Sequence, residues 1–313
     1  MPPKRHARGH PLSLRGSSPS ELRGAWDPVA GIELAKIPNI FLSLSSRAEN
    51  VLLVRQALSG LAEATALNAL ELNDISTAVS EACNNVVLHA YNGGEGPLEV
   101  EIGCLPHGLR VIVRDRGRGI NALERSGEHS GAGIGLPVIR ALAQQTELRD
   151  LGGGGTEVVM DFSTTGAIAL EEPRAEELLE LPQILDDHDL ERLRMRIAPP
   201  SLAATVLARV LCALGARAHF STDHLSDTGV LADALATRSE DSLSTAHLNV
   251  SVRVASRELE FWMGPLQTGR AEALLRDAAA DGLGAVLERL TEGHRVMPAA
   301  GGEMLSLHLA DRR

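Results

Sequence analysis

The first residues in this sequence that could act together chemically share one predicted helix. From Leu72 to Tyr91, an apolar stripe of Ile75, Val79, Ala82, Val86 and Ala90 recurs at spacings of three and four. Glu81, Asn85 and His89 fall at i, i+4 and i+8 on another face. An acid and an amide one turn apart suit a Mg²⁺-nucleotide. The amide oxygen is a hard ligand for an ion that keeps several waters and phosphate oxygens, and the carboxylate can orient or deprotonate an attacking hydroxyl. A solvated helix face also produces Glu and Asn at this spacing routinely, so the helix alone decides nothing.

Three glycine-bearing segments follow in order. Asp115-Arg-Gly-Arg-Gly119 ends a predicted strand. An Asp there can accept a hydrogen bond from a base amino group, and Gly117 and Gly119 let the backbone come close; a plain tight turn would look the same. Gly131-Ala132-Gly133-Ile134-Gly135 opens a predicted helix, where exposed N–H groups and the helix dipole favour phosphate. It is not a Walker loop, since no Lys-Ser/Thr follows, and its Gly-x-Gly-x-Gly spacing is not the dinucleotide fingerprint. Gly152-Gly-Gly-Gly-Thr156 precedes another strand. The Thr156 hydroxyl there is placed to support Asp115 and a water near a base, or simply to close a hairpin turn.

The elements needed to position these groups are legible nearby. Strands are predicted over Ile40 to Leu44, Leu98 to Ile102, Leu109 to Val113 and Thr156 to Phe162, with helices over Arg47 to Ala64 and Ile134 to Gln144. After an acidic stretch from Glu171 to Glu191, the order restarts. A strand is expected over Leu193 to Ile197, a helix over Ser201 to Leu214, and a hairpin over Leu248 to Val254 and Leu259 to Met263. A helix over Leu283 to Leu290 and a strand over Met304 to Leu309 complete it. Leu109–Gly119 aligns with Leu259–Gly269, Gly133–Gly135 with Gly282–Gly284, and Gly155 with Gly302, at nearly constant offsets. The expected organisation is a basic tail at 1–31, a first domain at 32–165 that carries the candidate nucleotide-binding residues, an acidic linker at 166–191 and a second copy at 192–313.

Four boxes in this order resemble those of the GHKL superfamily of histidine kinase-like ATPases: Glu81-x-x-x-Asn85, Asp115-x-Gly-x-Gly119, Gly131-x-Gly-x-Gly135 and Gly155-Thr156. The stretch Ser80–Tyr91 looks most like the anti-sigma-factor serine protein kinase branch, and the resemblance covers roughly Ile37 to Phe162. It implies an α/β fold, an α+β two-layer sandwich of the Bergerat type, with a mixed sheet covered on one face by helices. It implies ATP and Mg²⁺ as cofactors, and transfer of phosphate to a serine or threonine of an antagonist protein in partner switching. Glu81 then matches the general base and Asn85 the Mg²⁺ ligand, with His89 beside them. Asp115 matches the adenine-reading acid. Gly117, Gly119, Gly131, Ala132, Gly133, Ile134 and Gly135 match the lid and phosphate loop, and Thr156 the last hydroxyl. The branch tends to carry Arg just before the lid; here His129 stands there, and Arg125 is the nearest replacement. That departure bears on rate more than on binding. The alternative is an ATP-gated protein-binding module with little or no kinase activity.

Composition sets the remaining bounds. Hydrophobic residues make up 44% and aromatics 2%, so the core must come from Leu, Val, Ile and Ala. The net charge of −11 argues against nucleic acid. No apolar run of membrane length is expected. Cys83, Cys104 and Cys212 have no metal or redox spacing, which suggests a reducing, cytoplasmic setting. The expected partners are a sigma factor, its antagonist or both, with a homodimer as a further assembly. In the second half, Pro265 stands where Asp115 stands and no Glu-x-x-x-Asn occurs between Leu225 and Glu240, so this half is expected to bind no ATP.

Overall fold

Alternating burial along the strands sets the architecture. In β1 (Ile40–Ser45), β2 (Pro97–Leu105), β3 (Gly108–Asp115) and β5 (Thr156–Ser163), one face is apolar and buried, including Ile40, Leu42, Leu98, Val100, Ile102, Val111, Val113 and Met160. That face packs under α1 (Ala48–Ala64), α2 (Ala69–Asn85) and α3 (Gly135–Leu142). The other face carries charges that pair across strands. Arg114 bridges Glu101 and Glu157, Arg149 meets Glu157 at 2.9 Å and Arg110 meets Asp161 at 2.7 Å. This computed structural model describes residues 38–65, 67–119, 135–152, 154–166, 168, 170 and 190–312.

The second half adds β6 (Arg192–Ile197), α4 (Ala203–Arg217), α5 (Thr222–Ser239), β7 (Leu248–Ala255), β8 (Glu258–Leu266), α6 (Arg270–Ala278), α7 (Gly284–Leu290), β9 (Thr291–Ala299) and β10 (Gly302–Ala310). Instead of two separate sheets, the strands form one sheet in the order β4-β5-β3-β2-β1-β6-β7-β8-β10-β9, with β4 at Gln145–Asp150. Every pairing in it is antiparallel, so the mixed sheet expected for each half is corrected. The order reads the same outward from the β1–β6 seam, where Ile40 faces Ile197 and Leu42 faces Met195.

The aligned glycines fall at matching places. Gly119 follows β3 with φ 70° and Gly269 follows β8 with φ 83°, both in the left-handed region that favours glycine. Gly135 and Gly284 open the helices that lead into β4 and β9. Gly155 precedes Thr156 at the start of β5, and Gly302 opens β10.

Four elements were not legible in the sequence: α5, α6, β4 and β9. α5 buries mostly small or polar residues, among them Thr228, Ala232, Ala234 and Ala236, which blur its stripe. β4 and β9 are the outer edges of the sheet and show long exposed runs without alternation. One segment does pass the length and apolarity test for a membrane span, Pro200–Arg217, with a mean hydropathy of 1.3. It contains α4, whose Val206, Leu207, Val210, Leu211 and Leu214 belong to the protein core.

Candidate nucleotide site

The site is assembled where α2 ends, β3 ends and β5 begins. α2 starts with a reciprocal cap. The Asn68 side chain accepts from the N–H groups of Leu70 at 2.9 Å and Glu71 at 3.0 Å, while the Glu71 carboxylate accepts from the Asn68 N–H at 2.9 Å. The same carboxylate accepts from the Thr165 N–H at 2.6 Å and hydroxyl at 2.8 Å, tying the helix start to the segment after β5. These bonds hold Glu71 below its ordinary carboxylate pKa, Thr165 contributing most.

Glu81 and Asn85 lie in the last turns of α2, both half-buried. The helix then widens into a π turn, Val86–Ala90, a feature common at functional sites, and this turn carries His89. Its backbone is engaged: the Arg118 N–H donates to Ala90 O at 3.1 Å, and the Arg118 guanidinium approaches His89 O at 3.4 Å. A Cβ on Gly117 would sit 2.3 Å from Ala90 O, so only glycine fits there.

Asp115, the last residue of β3, is buried with 5% exposure. Its carboxylate accepts from the Gly117 N–H at 2.8 Å and from the backbone and hydroxyl of Thr156. Burial pushes its pKa up, and those three bonds oppose the shift. Gly155, with φ 109°, passes so near that a Cβ would lie 2.4 Å from Asp115 O. Gly119 in turn faces Gly155 O and the Asp150 carboxylate. From the other side Gly135, at the start of α3, brings the end of the phosphate-loop sequence to α2. A Cβ on it would lie 3.1 Å from Glu81 Oε2 and 3.2 Å from Asn85 Oδ1.

Thus the structure brings together Glu81, Asn85, Asp115, Gly117, Gly119, Gly135 and Thr156, with His89 on the adjoining turn. Arg125, His129, Gly131, Ala132, Gly133 and Ile134 lie outside the described residues. Two neighbours escaped sequence reasoning. The Tyr91 hydroxyl donates to Pro97 O at 2.6 Å and accepts from the Arg116 N–H at 2.9 Å, fixing the turn that follows Asp115. Burial raises that phenol to about 12, so it stays protonated as a donor. Arg118 carries a buried Nε–H with no hydrogen-bond partner among the described residues, the kind of donor an anionic ligand would satisfy. Its position inside the Asp115–Gly119 box was the available signal.

A buried acid with fixed donors, two backbone approaches, at Gly117 and Gly155, that exclude any Cβ, and a buried cationic donor fit a nucleotide. The sequence profile of the histidine kinase-like ATPase domain matches residues 44–162. These residues form a histidine kinase-like ATPase domain of the anti-sigma-factor kinase branch. The anti-sigma F factor of Caldanaerobacter subterraneus subsp. tengcongensis is 29% identical over 127 residues, which is 38% of this chain and 89% of that protein. The serine-protein kinase RsbW of Bacillus velezensis is 39% identical over 79 residues, 25% of this chain and 49% of that protein. RsbW of Bacillus cereus strain AH187 is 30% identical over 84 residues, 27% of this chain and 52% of that protein. The chain therefore spans about half the length of the serine kinases it matches. The metal-type clusters of His, Cys, Asp and Glu are absent among the described residues, and the free thiols of Cys83 and Cys104 are pushed up to about 12 by burial.

Proposed function

We propose that the ATPase domain is a protein serine/threonine kinase of the anti-sigma type, acting in the cytoplasm on an antagonist protein within a sigma-factor partner switch. The observation that carries this is the convergence of Glu81 and Asn85 on the Gly135 helix start, beside the buried Asp115. When bound, ATP supplies the γ-phosphoryl group and Mg²⁺ offsets its charge.

In this reading, Asp115 accepts from the adenine amino group, held in place by Gly117 and Thr156. Asn85 offers its amide oxygen to the metal. Glu81, one turn earlier, takes the proton from the attacking serine or threonine hydroxyl. His129 replaces the usual basic lid residue, and Arg118 is a described cation in contact with the turn that carries His89. The names of the relatives, an anti-sigma F factor and serine-protein kinases, support the partner class. The second half, with Pro265 in place of Asp115, binds no nucleotide.

The test is γ-phosphate transfer to antagonist proteins of the same genome, with Glu81→Ala as control. General-base catalysis contributes about 10²–10⁴-fold. The variant should keep ADP binding and lose transfer by that factor. A wild type that transfers to no antagonist, yet changes partner affinity on binding ATP, would leave a nucleotide-gated binding module in place of a kinase.

A further inference from the structure

We propose that the second half is a built-in mate for the ATPase half: it seals the β1 edge and the α1 face, so that the chain works as a single-site monomer. An unpaired edge strand is a template for another chain. Here β1 and β6 remove each other's edge, in register from Ile40–Ile197 to Ser43–Arg194. The mirrored strand order around that seam is what an isologous pair of subunits would give, drawn within one chain.

The seam is built as an interface and not as a chance abutment. α1 and α4 come so close at Gly60 that a Cβ there would lie 2.6 Å from Val206 Cα and 2.8 Å from Thr205 O. Polar groups close the ends. The buried Asn39 side chain donates to Ala198 O at 2.9 Å and accepts from the Cys104 N–H at 2.7 Å. Arg217 donates to Asn50 Oδ1 at 2.7 Å and meets Glu49 at 3.2 Å, and Arg209 meets Glu63 at 2.8 Å.

While the seam is elaborate, the chemistry of the second half has been replaced by packing. Pro265 stands one residue before the end of β8, in the place that Asp115 takes at the end of β3. After Gly269, α6 buries Ala271, Leu274 and Ala278. At the start of β10, Glu303 stands where Thr156 supports Asp115 in the first half. Its carboxylate instead accepts from the Ala271 N–H at 2.7 Å, capping α6. α5 turns Leu231, Ala232, Leu235 and Ala236 inward, with no acid or amide at those positions.

Sedimentation of the full-length protein over a 100-fold concentration range, with hydrogen exchange read on Ile40–Ser45, tests the proposal. The expected result is one species at 33.2 kDa, with β1 amides exchanging as slowly as those of β3. Calorimetry with ADP should give one site per chain. Gly60→Val should speed β1 exchange and start self-association, and Arg217→Ala should speed β1 exchange in a folded protein. Concentration-dependent dimers of the wild type, β1 amides that exchange within seconds, or two equivalent ADP sites would overturn it. Absence of any ADP binding would instead count against the kinase reading, leaving the seam result to stand on its own.

Discussion

Asp115→Asn is the sharpest probe of the site, because it changes charge without changing shape. The wild-type carboxylate already accepts from the Gly117 N–H and from the backbone and hydroxyl of Thr156, and its burial at 5% exposure leaves little room for water. A bond from this carboxylate to an adenine amino group is charge-assisted, worth about 1.5–3 kcal/mol. At about 1.4 kcal/mol per tenfold, the variant should bind ADP roughly 10- to 150-fold more weakly. The effect on the unliganded fold runs the other way. Burial raises the Asp115 pKa, so its stabilising contribution is complete below the unfolded value and falls as pH rises through the folded one. At neutral pH the amide therefore relieves a buried charge, although one Thr156 donor loses its acceptor at about 1–3 kcal/mol. Affinity and stability should thus separate. Calorimetry at a temperature where both proteins are folded measures the first, and thermal unfolding without ligand the second. ADP affinity within threefold of wild type would refute the assignment of Asp115 as the base-reading residue.

Other substitutions probe the surroundings. Asn85→Ala should weaken Mg²⁺-dependent ATP binding while leaving metal-free binding little changed, which titrations with and without the metal compare; since Glu81 is one turn away, general helix damage would affect both variants alike. Gly117→Ala drives a Cβ to 2.3 Å from Ala90 O and should break the Arg118–Ala90 contact, costing about 1–3 kcal/mol by thermal unfolding and loosening ADP. His247 is buried, and burial followed by Arg196 lowers its pKa to about 4. Its contribution is complete above the unfolded value near 6.5 and is lost as pH falls toward 4, by up to about 3 kcal/mol, and His247→Gln should remove that acid sensitivity in denaturant melts. Glu71, whose pKa is depressed, contributes fully above its unfolded value and loses its hold on Thr165 and Asn68 as pH falls through the folded one, so Glu71→Gln should flatten that part of the acid limb.

The ATP-binding half was largely legible because its determinants are local. The apolar spacing of α2, the strand ahead of Asp115, the glycine that opens α3 and the Thr156 strand start are each set within a few residues, by side-chain period and by what only glycine permits. Their order along the chain was enough to indicate the fold. The glycine offsets likewise foreshadowed the matching element order of the two halves. What sequence could not show depends on neighbours distant in the chain. The outer strands β4 and β9 and the small-residue helix α5 are defined by what they pack against, so their own patterns are weak. The continuous antiparallel sheet arises because β1 and β6 each present an edge that the other satisfies, and no local signal specifies which edge a strand will meet. The same holds for Gly60, whose lack of a side chain matters only because Val206 of the other half lies against it. It holds too for Arg118, whose Nε–H is buried and unpartnered among the described residues only because the fold brings the Asp115 turn against the end of α2.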